Sequence, residues 1–167
     1  TDRGWTVTGV DPDPDLLRLH PEPGLTGTAE DLPLADGSQD LVTVAQAWHW
    51  IDPAGASAEF LRVLRPGGAV AIVLNQLDVR VDWVLRLARI MHAGDVYRPA
   101  WRPELPGFGP AETTTVPFAT EVTVETVVEL ARTRSYWLRS DARTRARAER
   151  NIREFLEEEG RLLAAAA

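Results

Sequence analysis

The residues best suited to chemistry follow segments rich in β-branched or apolar side chains. Asp11 ends the run at residues 6–10, and an ionised carboxylate there can accept two hydrogen bonds from the vicinal diol of a ribose. Ala29 and Glu30 follow a weaker run. The small residue lets a flat base approach, and the carboxylate can accept from an adenine amino group. Simpler interpretations are a turn aspartate at Asp11 and a solvated loop at Glu30.

The most informative stretch is residues 46–50, where Gln46 and two tryptophans surround a histidine directly after an apolar strand pattern. Aromatic faces attract cationic centres, and a sulfonium is such a centre. His49 can serve as a general base or as an orienting donor. In the simpler interpretation Trp48 or Trp50 packs under the next helix and His49 is structural. We expect that interpretation to hold for one of the two tryptophans.

The composition of the 167-residue chain excludes several classes of chemistry. The chain has no cysteine, and all 18 of its basic residues are arginine. Disulfides, cysteine nucleophiles, Schiff-base lysines and P-loop lysines are therefore excluded. Three scattered histidines predict no metal site. A net charge of −7 argues against nucleic acid as a partner, and no apolar run approaches the length of a membrane span.

Hydrophobic periodicity predicts alternating strands and helices, and hence an α/β fold with a mostly parallel sheet. Predicted strands cover residues 6–10, 25–29, 41–45 and 69–74, the last buried on both faces, with an interrupted edge strand at 113–122. One predicted helix is short and starts at Pro14. Four further predicted helices cover residues 54–64, 81–93, 124–132 and 141–163. The helix at 54–64 is capped by Asp52 and Pro53, with Ala58, Leu61 and Leu64 on its buried face. Ligands of such sheets bind beyond the carboxyl ends of the strands.

Two further segments stand out in the second half of the chain. Residues 98–117 hold five prolines, which predicts a long loop, and loops of that length are often functional. Residues 132–153 hold eight arginines. They could grip an anionic substrate, although glutamates at helical pair spacing favour a solvated helix face.

Several of these segments together resemble the class I S-adenosylmethionine-dependent methyltransferases. They are Gly-Val-Asp at 9–11, Gly-Thr-Ala-Glu-Asp-Leu-Pro-Leu at 27–34, Ser-Gln-Asp-Leu-Val at 38–42 and Leu-Arg-Pro-Gly-Gly at 64–68. Residues 44–52 resemble the branch that includes trans-aconitate methyltransferase-like enzymes. The resemblance covers residues 5–75, and its specificity comes from the order and spacing of the segments.

The resemblance implies a Rossmann-like three-layer fold that binds S-adenosylmethionine. It assigns Asp11 to the ribose hydroxyls, Pro12 to the neighbourhood of the adenine, and Ala29 and Glu30 to the adenine edge. Gln46 would lie near the methionine part of the cofactor. Residues 1–97 would form the core of the cofactor-binding domain, and residues 98–167 would cover the substrate as part of the same domain.

The substrate side would carry the remaining candidate residues. His49 would face the methyl acceptor as the catalytic residue. The tryptophans that could contact the acceptor are Trp48, Trp50 and Trp101.

The chain departs from the family pattern at its start. The family's first strand and glycine-rich loop precede the position of Asp11, and only ten residues do so here. Position 28 is threonine where many relatives have aspartate. We therefore expect a truncated chain, a sheet without the usual first strand, and poor cofactor binding by this chain alone. A second copy in a homodimer could fill the gap, or the two flanking strands could close up, or the missing segment belongs to the protein but not to this chain.

The function expected from these observations is methyl transfer to a small molecule, at an oxygen atom, in the cytoplasm. One alternative is a catalytically degenerate methyltransferase-like domain that serves as an interaction surface. Another is a nicotinamide-dependent oxidoreductase, because an acid after the second strand also binds the ribose of that cofactor.

Overall fold

A computed structural model describes residues 4–20, 22, 24–92 and 101–165 of the chain. The strands are β1 (Gly9–Asp11), β2 (Gly24–Thr26), β3 (Gln39–Ala45) and β4 (Leu64–Val73). The helices are α1 (Pro14–Leu17), α2 (Pro53–Val63), α3 (Asp82–Ile90), α4 (Val124–Arg132), α5 (Ser135–Arg139) and α6 (Ala142–Ala165), with a 3-10 helix at Trp48–Trp50. The alternation of strands and helices confirms the predicted α/β class.

The chain forms two compact units. Unit 1 comprises residues 1–75 and 100–113, and unit 2 comprises residues 76–99 and 114–167. The boundary predicted between residues 97 and 98 lies outside the described residues. No helix of the described part is both long and apolar enough to cross a membrane.

Unit 1 contains two parallel strand pairs. β1 pairs with β2, with Asp11 opposite Thr26, and β3 pairs with β4, with Ala45 opposite Val73. Within the described residues, no ladder joins one pair to the other. Because the strands of each pair are parallel, their carboxyl ends lie at the same edge.

Helix α2 begins as its sequence predicts. The side chain of Asp52 accepts a hydrogen bond from the Gly55 amide at 2.8 Å, and a proline occupies the first turn. The predicted buried face is right at Leu64, which is buried, and wrong at Ala58 and Leu61, which are exposed. The helix has two apolar stripes, and the one that carries the large Phe60 ring, which is 1% exposed, is the one that packs inward.

Strand β4 is longer and less buried than predicted. Its register shifts between Gln39, which pairs with Leu64, and Leu41, which pairs with Ala69. The expected turn at residues 65–68 is therefore an irregularity inside the strand, where Gly67 has a φ of +83°. The prediction of burial on both faces is wrong, because Val73 is 52% exposed. β4 pairs only with β3 in the described part of the sheet.

Unit 2 is built from helices α3 to α6 around one apolar cluster. Its buried members include Leu87, Met91, Val128, Ile152 and Phe155. Helices α3, α4 and α6 confirm three predictions, and the short α5 was not predicted. On each helix the apolar residues recur three or four positions apart and therefore lie on one face. These faces pack against one another in the cluster.

Residues 101–123 have no regular secondary structure, as predicted for the long loop as far as residue 117. The edge strand predicted at 113–122 is wrong. Val116 and Phe118 are 75% and 72% exposed, and no ladder involves this segment. The β-branched composition favours extended backbone, but a strand also needs a partner. The segment ends at Thr123, whose side chain caps α4 and forms a capping box with Thr126.

Candidate functional site

Asp11 lies at the carboxyl end of β1. Its Oδ1 accepts a hydrogen bond from the Asp13 amide at 2.8 Å, and its carbonyl accepts from the Gly27 amide at 3.3 Å. The turn interpretation is therefore correct for one carboxylate oxygen. Asp11 is half-buried and the following Pro12 is exposed. Among the described residues the Asp13 amide is the only donor to this carboxylate, so acceptor capacity is left for a diol.

The loop after β2 contains Ala29 and Glu30 and is closed by a bridge between Thr28 and Asp31. Oε1 of Glu30 accepts a hydrogen bond from the Asp52 amide at 2.8 Å. Glu30 thus ties this loop to the start of α2, a role that the sequence analysis did not foresee. An adenine contact by Ala29 or by the second Glu30 oxygen stays a prediction.

Gln46 follows β3 with a φ of 55°, in the left-handed region that a non-glycine residue enters at a cost. Its amide donates to the Val73 carbonyl at 3.0 Å, and its side-chain Nε2 donates to the Asn75 carbonyl at 2.9 Å. These two bonds extend the β3–β4 pairing and hold the strained residue in place. The side-chain oxygen of Gln46 lies on an exposed residue and remains an acceptor at the carboxyl edge.

The tryptophans of the 3-10 helix have different environments. Trp48 is 5% exposed and belongs to the core, whereas Trp50 is 61% exposed. The prediction that one of the two tryptophans is structural is therefore confirmed. His49 is exposed, and its ring centroid lies 4.9 Å from that of Trp50 at an interplanar angle of 47°. This His49–Trp50 pair presents an imidazole and an indole three and four residues after Gln46.

The structure brings two of the predicted site residues, His49 and Trp50, into direct contact. Asp11 and Glu30 contact residues outside the predicted set, namely Gly27 in the β2 loop and Asp52, which caps α2. Trp101 is half-buried in unit 1. Among the described residues, no group of three or more histidines, aspartates or glutamates is arranged to hold a metal ion.

The pair formed by Glu59 and Arg62 on α2 was not predicted from the sequence. Arg62 binds both carboxylate oxygens of Glu59, from Nε at 2.9 Å and from Nη2 at 2.7 Å. The Leu32 amide donates to Glu59 Oε2 at 2.9 Å. The hydrogen bonds from Arg62 and from the Leu32 amide lower the pKa of Glu59 from 4.5 to about 2. The three-residue spacing on a predicted helix is the signal that could have revealed this pair.

Residues 1–72 match the family model described as a methyltransferase domain. Uncharacterized methyltransferases of Mycobacterium tuberculosis and Mycobacterium bovis are each 40% identical to the chain over 162 residues, which is 93% of this chain and 66% of those proteins. The chain belongs to the class I methyltransferase family. Its α/β pattern with parallel strand pairs fits the Rossmann-like fold of that family. This methyltransferase chain spans 66% of the length of these curated relatives, and its placement in the trans-aconitate branch stays a prediction.

Two other proteins share shorter or weaker similarity with this methyltransferase chain. A malonyl-[acyl-carrier protein] O-methyltransferase of Dechloromonas aromatica is 42% identical over 65 residues, covering 38% of this chain and 25% of that protein. A solved structure from Anaeromyxobacter dehalogenans is 24% identical with a TM-score of 0.48, and the alignment covers 89% of this chain and 71% of that chain.

Proposed function

We propose that the chain is the cofactor-binding part of an S-adenosylmethionine-dependent methyltransferase that acts on a small molecule at an oxygen atom. The observation that carries the proposal is the position of Asp11 at the carboxyl end of a parallel strand in a chain of this family. A carboxylate there can accept from both hydroxyls of a ribose.

The residues at the carboxyl ends of the two strand pairs are of the types that suit a nucleoside carrying a sulfonium. Asp11 supplies acceptors for the ribose, Gln46 supplies an acceptor near the end of β3, and Trp50 supplies an exposed aromatic face suited to a cation. S-adenosylmethionine, when bound, supplies an electrophilic methyl group. The protein then has to align the acceptor oxygen with that group, which is mainly a matter of position.

The proposed oxygen acceptor is supported by the name of one relative and by His49. The Dechloromonas protein is named as an O-methyltransferase, although only 38% of this chain aligns with it. The exposed imidazole of His49 can accept a proton from an acceptor hydroxyl. A carboxylate acceptor is already ionised at neutral pH and needs no base.

Titration calorimetry with S-adenosylhomocysteine, carried to millimolar ligand, tests cofactor binding. We expect saturable one-to-one binding, and we expect Asp11→Asn to weaken it about tenfold to a hundredfold, because hydrogen bonds to a charged acceptor contribute about 1.5–3 kcal/mol. Asp13→Asn is the matched control. It removes the same charge two residues away and leaves a side chain that still caps α1.

The same titration separates the alternatives. Binding of a nicotinamide dinucleotide in place of S-adenosylhomocysteine would support the oxidoreductase. No binding of either ligand by the correctly folded chain would refute the proposal and favour the interaction domain.

Transfer of a labelled methyl group from S-adenosylmethionine to panels of small alcohols, carboxylic acids and amines tests the acceptor. His49→Ala should slow transfer to hydroxyl acceptors about 10²–10⁴-fold, the usual contribution of a general base, and should leave carboxylate acceptors unaffected. His20→Ala is the control, because His20 is an exposed histidine whose ring nitrogen contacts Glu22. Transfer to nitrogen acceptors alone would refute the oxygen assignment.

A further inference from the structure

The loop between β2 and β3 is attached to α2 at both of its ends. Near its start, Glu30 accepts a hydrogen bond from the Asp52 amide at 2.8 Å, at the N-terminus of α2. Near its end, the Gly37 amide donates to the Arg62 carbonyl at 2.9 Å, in the last turn of α2. Short loops held at both ends lose most of their conformational freedom.

Between these two attachments the Glu59–Arg62 pair binds the backbone of the loop. The amide of Leu32 donates to Glu59 at 2.9 Å, and the Leu32 carbonyl accepts from Arg62 at 2.8 Å. Nη1 of Arg62 also donates to the Leu34 carbonyl and to Asp36 Oδ1, each at 2.7 Å. Both polar backbone groups of Leu32 are therefore satisfied by one ion pair.

The geometry of the pair depends on the planar fork of arginine. Arg62 serves five acceptors in all, namely two carboxylate oxygens of Glu59, two loop carbonyls and Asp36. A lysine ammonium carries the same charge but cannot reproduce this planar set of donors. The side chains of Glu59 and Arg62 are 18% and 32% exposed, so the pair is partly shielded from solvent.

We propose that the Glu59–Arg62 pair is a positioning device that holds the loop carrying Ala29 and Glu30 in the conformation that recognises the nucleobase of the methyl donor. The inference rests on the proposed function, because it assigns a base-recognition role to that loop. Neither residue touches the donor. The pair acts through Leu32, two residues after Glu30 along the chain.

The physical consequence concerns the population of the competent loop conformation. When a binding-competent conformation is populated only as a fraction f, the apparent dissociation constant rises by 1/f. A ligand whose base makes hydrogen bonds with the loop experiences this increase. A ligand whose base cannot make those bonds does not experience it, because it gains nothing from the ordered loop.

The test compares S-adenosylhomocysteine with S-inosylhomocysteine, in which a carbonyl replaces the amino group and the neighbouring ring nitrogen becomes a donor. Wild type should prefer the adenosyl ligand, because mismatched donors and acceptors leave polar groups unpaired. Arg62→Lys should weaken binding of the adenosyl ligand at least fivefold and should change the affinity for the inosyl ligand by less than twofold. Glu59→Gln should change the preference in the same direction if the lysine variant does not fold.

Arg65→Lys is the matched control. Arg65 donates to the carbonyls of Gly37 and Ser38 and pairs with Asp40, beyond the part of the loop that carries Ala29 and Glu30. Its substitution should leave the preference for adenine unchanged.

The remaining outcomes distinguish failure of the proposed function from failure of the positioning role. If wild type binds neither ligand, the proposed function fails. If wild type binds and Arg62→Lys weakens both ligands equally, the pair only supports the fold and the positioning role is refuted. An unchanged preference in both Arg62→Lys and Glu59→Gln also refutes that role.

Discussion

Substitution of Glu59 by glutamine should destabilise unit 1 in a manner that depends on pH. The pKa of Glu59 is about 2 in the folded protein against an ordinary value of 4.5. Because the folded-state pKa is depressed, the carboxylate stabilises the fold above pH 4.5. That stabilisation is lost as the pH falls toward 2. The glutamine variant keeps the shape of the side chain and loses the charge.

The size of the effect follows from the same shift in pKa. A difference of one in pKa corresponds to about 1.36 kcal/mol, so linkage sets an upper limit of roughly 3–4 kcal/mol for the contribution of the Glu59 charge to the free energy of unfolding at pH 7. Since 18% of the Glu59 side chain is exposed, solvent screens part of the interaction, and we expect about 1.5–3 kcal/mol. At pH 3 the difference from wild type should fall to less than about half of its value at pH 7.

Urea unfolding followed by circular dichroism at pH 7 and pH 3 measures this difference. Amide hydrogen exchange at Phe60 and at Ile152 reports units 1 and 2 separately in the same sample. Glu129→Gln is the matched control, because Glu129 pairs with Arg132 at the same helical spacing but is 68% exposed. The control should change the free energy of unfolding by less than about 0.5 kcal/mol. An equal deficit for Glu59→Gln at both pH values, or an equal effect of the control, would refute the reasoning.

Three further predictions test individual features of the fold. Ile152 is fully buried in unit 2, so Ile152→Ala should lower the free energy of unfolding by about 2–5 kcal/mol in urea. Leu138→Ala, at a side chain that is 63% exposed, should change it by less than about 0.5 kcal/mol, and similar losses for both variants would contradict the packing of the core. Thr123→Ala should cost about 1 kcal/mol in thermal or urea unfolding because α4 loses its cap. Thr123→Ser should recover most of that loss, and no recovery would argue against the cap. Gln46→Gly should be about 1 kcal/mol more stable than Gln46→Ala in the same assay, because glycine relieves the left-handed backbone while both variants lose the bond to Asn75. Equal stabilities would show that the backbone of Gln46 carries no strain.

Local signals predicted those parts of the fold that depend on neighbouring residues. Asp52 and Pro53 marked the start of α2, and Thr123 marked the start of α4, because a cap and its helix lie within four residues. The face of α2 was not predictable in the same way. Both the Phe60 stripe and the Leu61 stripe are apolar, and only the packing of the folded chain selects one of them.

The candidate site shows the same difference between local and non-local signals. Asp11, Gln46 and His49 could be proposed as site residues because Asp11 ends β1 and the other two follow β3, and strand ends form binding edges in α/β proteins. The bond from Glu30 to the Asp52 amide joins residues 22 positions apart, and no local pattern encodes such a contact. The Glu59–Arg62 pair had a visible helical spacing, but its action on Leu32 became apparent only once the loop lay against α2.

The bond from the Gln46 side chain to the Asn75 carbonyl has a consequence for the kinetics of folding. It closes a segment of 29 residues, and closing a flexible segment of that length costs roughly 3 kcal/mol of chain entropy. The cost falls if α2 has already drawn the ends of β3 and β4 together. Non-local parallel pairing of this kind slows folding compared with contacts between near neighbours. Mutations that weaken α2 should therefore slow refolding of unit 1. If the Gln46 bond forms after the transition state, mutations at Gln46 should mainly speed unfolding.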